Sequence, residues 1–230
     1  MPFGGGDDEA EFMDTFEIDN GTMDSFLKDN SITYNQLFAS VFAYALSRYT
    51  GSSKVLFNIL VDGRGHMDLS GSVGMFVKTL PVLMDCANQD VPAFLSYSSN
   101  LINSVMKYDL YPFHVLANEY ELNTNVFFQY SHDIFKNDVS ELKHDIQRDF
   151  SFFIFNRDDG EFGIRILHSD KFSGEFISRF VESYKLILNE MINADFLADI
   201  SFISQSDLDL LDSYNQTENA LIYGYFGCIQ

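Results

Sequence analysis

The chain has 230 residues, with 24 phenylalanines, 12 tyrosines, no tryptophan and a formal charge of −20 at pH 7. That length suits one well-filled core and is marginal for two, and the balance of apolar and charged residues belongs to a globular chain, not a disordered one. A field this negative repels phosphate backbones and anionic lipid, which argues against nucleic-acid and membrane-surface binding.

Residues 1–15 open with three glycines followed by acids and read as a linker or a cut end. "MPFGGGDDEAEF" lacks the basic-then-apolar order of a signal peptide, and no apolar run approaches the roughly 20 residues of a membrane span. Cys86 and Cys228 lie far apart without CxxC spacing, so they read as two unpaired thiols in a reducing cytoplasm.

A short helix is expected over 22–29. A stronger one follows in "TYNQLFASVFAYALSRYTG". Thr33 and Gln36 have the spacing of a capping box, Leu37, Phe38, Val41, Phe42, Ala45, Leu46 and Tyr49 form one broad apolar face, and Gly51 is placed to end the helix. "KVLFNILVDGRG" is β-branched and aromatic, too short for a helix, and closes in a glycine turn, which predicts a buried strand. "SGSVGMFVKTLPVLMD" (70–85) predicts the next strand, up to about Met84. "DVPAFLSYSSNLINSVMKY" begins with Asp90 as a cap and Pro92 in its first turn, the signature of another helix.

"YPFHVLANEYEL" predicts a short helix begun by Pro112, and "NVFFQYSHDIF" a strand. The clearest β signal is "FSFFIFNRDDGEFGIRILH". Phe150, Phe152 and Ile154 alternate, Asp159-Gly160 turns the chain, and Phe162, Ile164 and Ile166 alternate back. A long helix follows, with Phe176, Ile177, Phe180, Val181, Tyr184, Ile187, Leu188 and Met191 on one face. Ser204 and Asp207 mark a final short helix. The predicted fold class is therefore α/β, an open mixed β-sheet with helices packed on it.

Catalytic motifs are sparse. His66, His114, His132, His144 and His168 have neither HExxH nor zinc spacing, GxSxG is absent, and the glycines match no dinucleotide or P-loop pattern. His132 stands out only for its neighbour Asp133. Lys78 is unusual in an apolar strand. Phe76, Lys78 and Leu80 would share one face of it, with Val77, Thr79 and Leu83 on the other. Lys78 is either a site residue facing a substrate carboxylate or phosphate, or a solvated edge position whose stem lies over apolar neighbours.

Four stretches together resemble the C-terminal half of a condensation domain from a nonribosomal peptide synthetase. They are "TYNQLFASVFAYALSRYTGSSKVLFNILVDGR", similar to that family's helix–strand–GR segment, and "VGMFVKTLP", close to (V/I)GxFVNTLP. The others are "KYDLYPFHVL", a loose (H/N)QDYPFE, and the tail "ISFISQSDLDLLDSYNQTE". The resemblance runs from about residue 16 to 218. There are departures. HHxxxDG, a motif of the family's N-terminal half, does not occur, Lys78 stands where the signature has Asn, and "ELNTNVFF" is a reduced RDxSRNPL segment.

The resemblance implies one lobe of a two-lobed, chloramphenicol acetyltransferase-like fold, with 16–203 as the C-terminal lobe and 204–230 as an exit helix and linker. Such a lobe forms one wall of the tunnel where an acceptor amine attacks a carrier-bound thioester, and alone it is expected to be inactive. No catalytic residue, metal or bound cofactor is assigned to this chain. Phosphopantetheine arms enter as substrates, and the partners are the N-terminal lobe and peptidyl carrier proteins. Arg64 would pair across the lobe interface with the Asp of the histidine motif, or else cap a turn in solvent. Phe76, Lys78, Thr79, Gln129 and His132 are tunnel-lining candidates. A segment within 126–148 would cross to the other lobe. An apolar patch on the face bearing 74–80 would favour self-association. The alternative is a non-catalytic carrier-protein docking or degenerate structural module.

Overall fold

A computed structural model describes residues 10–61, 77–87, 89–122, 125–131, 149–157 and 161–215. The chain runs through β1 (Ala10–Phe16), α1 (Asn20–Asn30), α2 (Tyr34–Thr50), β2 (Lys54–Val61), β3 (Lys78–Asp85), α3 (Val91–Lys107) and α4 (Phe113–Glu119). It continues through β4 (Val126–Ser131), β5 (Phe150–Asn156), β6 (Phe162–His168), α5 (Gly174–Met191) and α6 (Gln205–Asn215), with a 3-10 turn at Leu197–Asp199 before the last helix.

Local chemistry sets the helix boundaries. Thr33 and Gln36 close a reciprocal capping box on α2: the Gln36 amide donates to Thr33 Oγ1 at 3.3 Å and the Thr33 amide to Gln36 Oε1 at 2.9 Å. Gly51 ends the helix at φ 66°, where a Cβ would be strained. Asp90 caps α3 through the Ala93 amide, and Ser173 caps α5 through the Phe176 amide. The weak signal at Ser204 is realised too, its hydroxyl accepting from the Asp207 amide.

The six strands form one mixed sheet in the order β1-β6-β5-β4-β2-β3. β2 pairs with β4 and β4 with β5 in parallel, and the remaining pairs are antiparallel. Residues 10–15, expected to belong to a linker, are instead most of β1. Its register sets Phe12 opposite Ile166 and Phe16 opposite Phe162, so two phenylalanines complete the sheet's apolar face at its margin. Glu11 before them and Asp14 between them concealed that alternation. Helix α1 extends the expected 22–29 by two residues and one residue, with Asp19 as cap. The turn expected at Asp159-Gly160 and the part of the predicted strand before Val77 lie outside the described residues.

The long helices share one face of the sheet, with α2 in the middle, α3 over β3 and α5 reaching β1. Helix α2 is buried almost all round, which requires neighbours on every side. Phe42 is fully buried, and its ring meets those of Phe57, Phe128, Phe150, Phe152 and Phe180 at 5.2–6.3 Å between centroids. These rings come from β2, β4, β5 and α5, so one side chain joins four elements. Tyr184 is also fully buried, with its hydroxyl on the Phe38 carbonyl at 3.2 Å, and burial holds its phenol protonated.

The sheet's other face also holds buried groups, including Phe127, Phe153 and Ser151. Gly163, opposite Phe155 on that face, has a ring in place of a side chain: a Cβ there would overlap the Phe155 ring.

Replacing Phe42 by Ala removes the ring shared by these elements. The expected loss is about 3–5 kcal/mol, measured as a lowered urea midpoint with an unchanged slope.

Candidate functional site

Strands β1, β5, β4 and β2 run in the same direction, with β6 and β3 opposed to them. One edge of the sheet therefore gathers the carboxyl ends Phe16, Asn156, Ser131 and Val61 and the starts Phe162 and Lys78. Ligands of open α/β sheets sit outside the carboxyl ends of parallel strands, which makes this edge the candidate site. The stretch joining Val61 to Lys78 leaves and returns here, and the chain after Ser131 departs from here. Arg64, Phe76 and His132 belong to those stretches and lie outside the described residues.

The other three candidates can be placed. Lys78 is on the helix-bearing face with Leu80, Val82 and Met84, and its Nζ lies 3.0 Å from Asp109 Oδ2, with the two side chains 26% and 16% exposed. Asp109 belongs to the "KYDLYPF" stretch, so this ion pair fastens the start of β3 to the turn after α3. Thr79 and Gln129 are half-buried on the opposite face. Thr79 pairs with Leu60, Phe128 with Ile59 and Gln129 with Phe153. Continuing that register puts Thr79, Leu60, Gln129 and Phe153 in one row, with Thr79 and Gln129 roughly 10 Å apart. The fold thus brings Thr79 and Gln129 to one surface and turns Lys78 to the other.

A cavity of about 220 Å³ opens at this edge, on the helix side, lined by Asn20, Tyr34, Tyr130, Asn156, the Arg157–Glu161 pair and Phe162. Tyr34 donates to Asp24 at 2.8 Å and Tyr130 to Asn156 at 3.0 Å. Burial pushes the Tyr34 phenol up, with the Asp24 hydrogen bond and charge adding to it, and burial pushes the Tyr130 phenol up against the opposing pull of Asn156. Both stay protonated at neutral pH. The described lining contains no imidazole or thiol, so it can hold a polar group by hydrogen bonds but offers no ready nucleophile. The sequence carried no sign of this cavity, since Tyr34 and Tyr130 are 96 positions apart.

Other reactive groups lie elsewhere. His168 is buried at the opposite edge with Nδ1 3.0 Å from the Ser169 carbonyl, and His114 is exposed on α4. His66 and His144 are outside the described residues. Cys86 is a buried free thiol pushed up to about 12 by burial, so its thiolate is scarce at neutral pH. Cys228 is not among the described residues. Among the described residues no group of three or more His, Cys, Asp or Glu could hold a metal ion, and no helix is long and apolar enough to cross a membrane. Of the apolar patch expected around 74–80, Val77 is exposed and Thr79 half-buried, and Leu83 is exposed further along the strand.

Comparison with known proteins gives a consistent result. The family model described as Condensation domain matches residues 9–208. A linear gramicidin synthase of Brevibacillus parabrevis is 27% identical over 218 residues, covering 85% of this chain and 3% of that protein. The four-domain nonribosomal peptide synthetase holo-AB3403, solved with AMP and glycine, superposes with a TM-score of 0.74 at 14% identity, covering 86% of this chain and 18% of that one. The first condensation domain of the calcium-dependent antibiotic synthetase, solved with a substrate analogue, has a TM-score of 0.72 at 11% identity, over 84% of this chain and 47% of that one. The chain thus spans about half the length of that condensation-domain chain, and a far smaller part of the gramicidin synthase.

The Lys78–Asp109 pair should show a coupling of about 1 kcal/mol in a double-mutant cycle of Lys78→Met and Asp109→Asn. Urea unfolding of the four proteins measures it.

Proposed function

The chain belongs to the condensation-domain family of nonribosomal peptide synthetases, and from that premise we propose that it forms the C-terminal lobe of such a domain. The observation that carries this reading is the half-length match: 84% of this chain follows the fold over 47% of a condensation-domain chain. The lobe would supply one wall of the tunnel in which an acceptor amine attacks a carrier-bound thioester to make an amide. Peptidyl carrier proteins would deliver both substrates on phosphopantetheine arms, with no cofactor held by this chain.

The roles follow from the carboxyl edge. Thr79 and Gln129, in one row across the sheet, would face the tunnel, and Phe76 and His132, in the stretches that meet this edge, would line its mouth. Arg64, just beyond the end of β2, would cross to the partner lobe and hold its histidine loop through a paired, charge-assisted hydrogen bond. The stretch after β4 would carry the crossing to the other lobe. HHxxxDG does not occur in these 230 residues, and in this reading the partner lobe would bring the proton-handling group. The exposed face around Val77 would make self-association its default in the partner's absence.

One observation favours a second reading, a carrier-docking or structural module without chemistry. Lys78, which replaces the signature's Asn, is engaged by Asp109 and turned to the helix side.

The test mixes the 230-residue chain with a separately made N-terminal lobe bearing HHxxxDG, an acyl-loaded donor carrier and an aminoacyl-loaded acceptor carrier. Mass spectrometry follows amide formation on the acceptor arm. The expected result is no product from the chain alone and amide when both lobes are present. Arg64→Ala should lower the rate tenfold or more, the order expected for losing a hydrogen bond to a charged group. Carrier binding without amide under every pairing would support the second reading instead.

A further inference from the structure

A second cavity, of about 430 Å³, lies between β3, α3 and α4. Its floor is aliphatic, with Leu80, Pro81 and Leu116. Its wall is aromatic, with Tyr108, Tyr111, Phe113 and Tyr120, and Glu119 stands among these rings. Three features set it apart from ordinary core. The core rings around Phe42 and Phe180 pack on one another, but among the described residues none of these four pairs with another ring. Tyr108, Tyr111 and Tyr120 are exposed. The described cation–ring contacts are those of Arg48 with Tyr44 and Phe202, so no cation of the described chain covers these faces.

Charge points the same way. Glu119 accepts from the Tyr111 hydroxyl at 3.4 Å and is exposed. The ammonium of Lys78, on the same strand as the floor, is matched by Asp109 at 3.0 Å and adds no uncompensated positive charge. Around the cavity the chain as a whole carries −20, which raises the local concentration of cations.

We propose that this bowl binds a small organic ammonium ion with an apolar body. The electron-rich faces of the tyrosines attract the cationic head, Glu119 adds a carboxylate beside it, and the Leu80–Pro81–Leu116 floor takes the hydrocarbon part. An anion would meet both the carboxylate and the negative ring faces, and a neutral apolar molecule would gain the floor alone. The bowl adjoins the carboxyl edge through Thr79, which also lines it, and the inference does not depend on whether the chain joins amides.

The test uses the full 230-residue chain at fixed ionic strength with choline as probe and 3,3-dimethylbutan-1-ol as its neutral isostere. Equilibrium dialysis gives the affinities, and saturation-transfer NMR identifies the protein-facing protons. Choline should bind saturably at one site and the alcohol roughly tenfold more weakly, the discrimination expected of a cation on several rings. Tyr111→Leu and Tyr120→Leu should each weaken choline binding. Glu119→Gln should weaken it about threefold, while Asp170→Asn, an exposed acid after β6, should leave it unchanged. The proposal is overturned by equal binding of the alcohol, by absence of saturable choline binding, or by ring variants that bind like the parent. Equal losses in Glu119→Gln and Asp170→Asn would also overturn it, since they would reduce the effect to net charge.

Discussion

The fold depends on the burial of α2. A helix apolar nearly all round cannot keep a face in water, so it needs a sheet below and helices on both flanks. Phe42 shows how little slack that leaves, with rings from β2, β4, β5 and α5 around one side chain. Close packing of this kind makes the positions of the strands interdependent. The carboxyl edge is therefore held by a core lying behind it rather than by the loops that surround it.

In the proposed reading, that edge is what lets a chain with so few catalytic groups serve as one half of a reaction chamber. A sheet with four strands in one direction presents several strand ends together, and the stretches holding Arg64, Phe76 and His132 are anchored to them. The described groups there are amides, protonated phenols and paired charges such as Arg157–Glu161, suited to positioning. In the proposed reading, this lobe contributes surface and register while proton transfer belongs to its partner.

The pair Lys78–Asp109 links the two halves of the molecule's surface chemistry. It tethers the turn after α3 to β3, which places Tyr108 and Tyr111 beside the strand's aliphatic floor. It also takes up a charge that would otherwise oppose a cation in that bowl. A partly buried ammonium needs such a partner, so a substitution that looks disruptive in a strand becomes compatible with the fold.

Much of the fold was legible in the amino-acid order because its signals are local. Thr33 and Gln36 announced α2, Asp90 with Pro92 announced α3, and alternating Phe and Ile residues announced the β5–β6 hairpin. The family was legible too, through "VGMFVKTLP" and the order of the stretches around it. Strand β1 escaped because its acids broke the apolar alternation and its strand partner, β6, lies some 150 positions away. Which face each candidate took was decided by tertiary structure alone. Lys78 and Thr79 are neighbours in sequence, yet the register of β3 turns one toward Asp109 and sets the other in line with Gln129. The aromatic bowl and the Tyr34–Tyr130 cavity likewise exist only after folding, because side chains distant in sequence become neighbours only when packing closes the space between their elements.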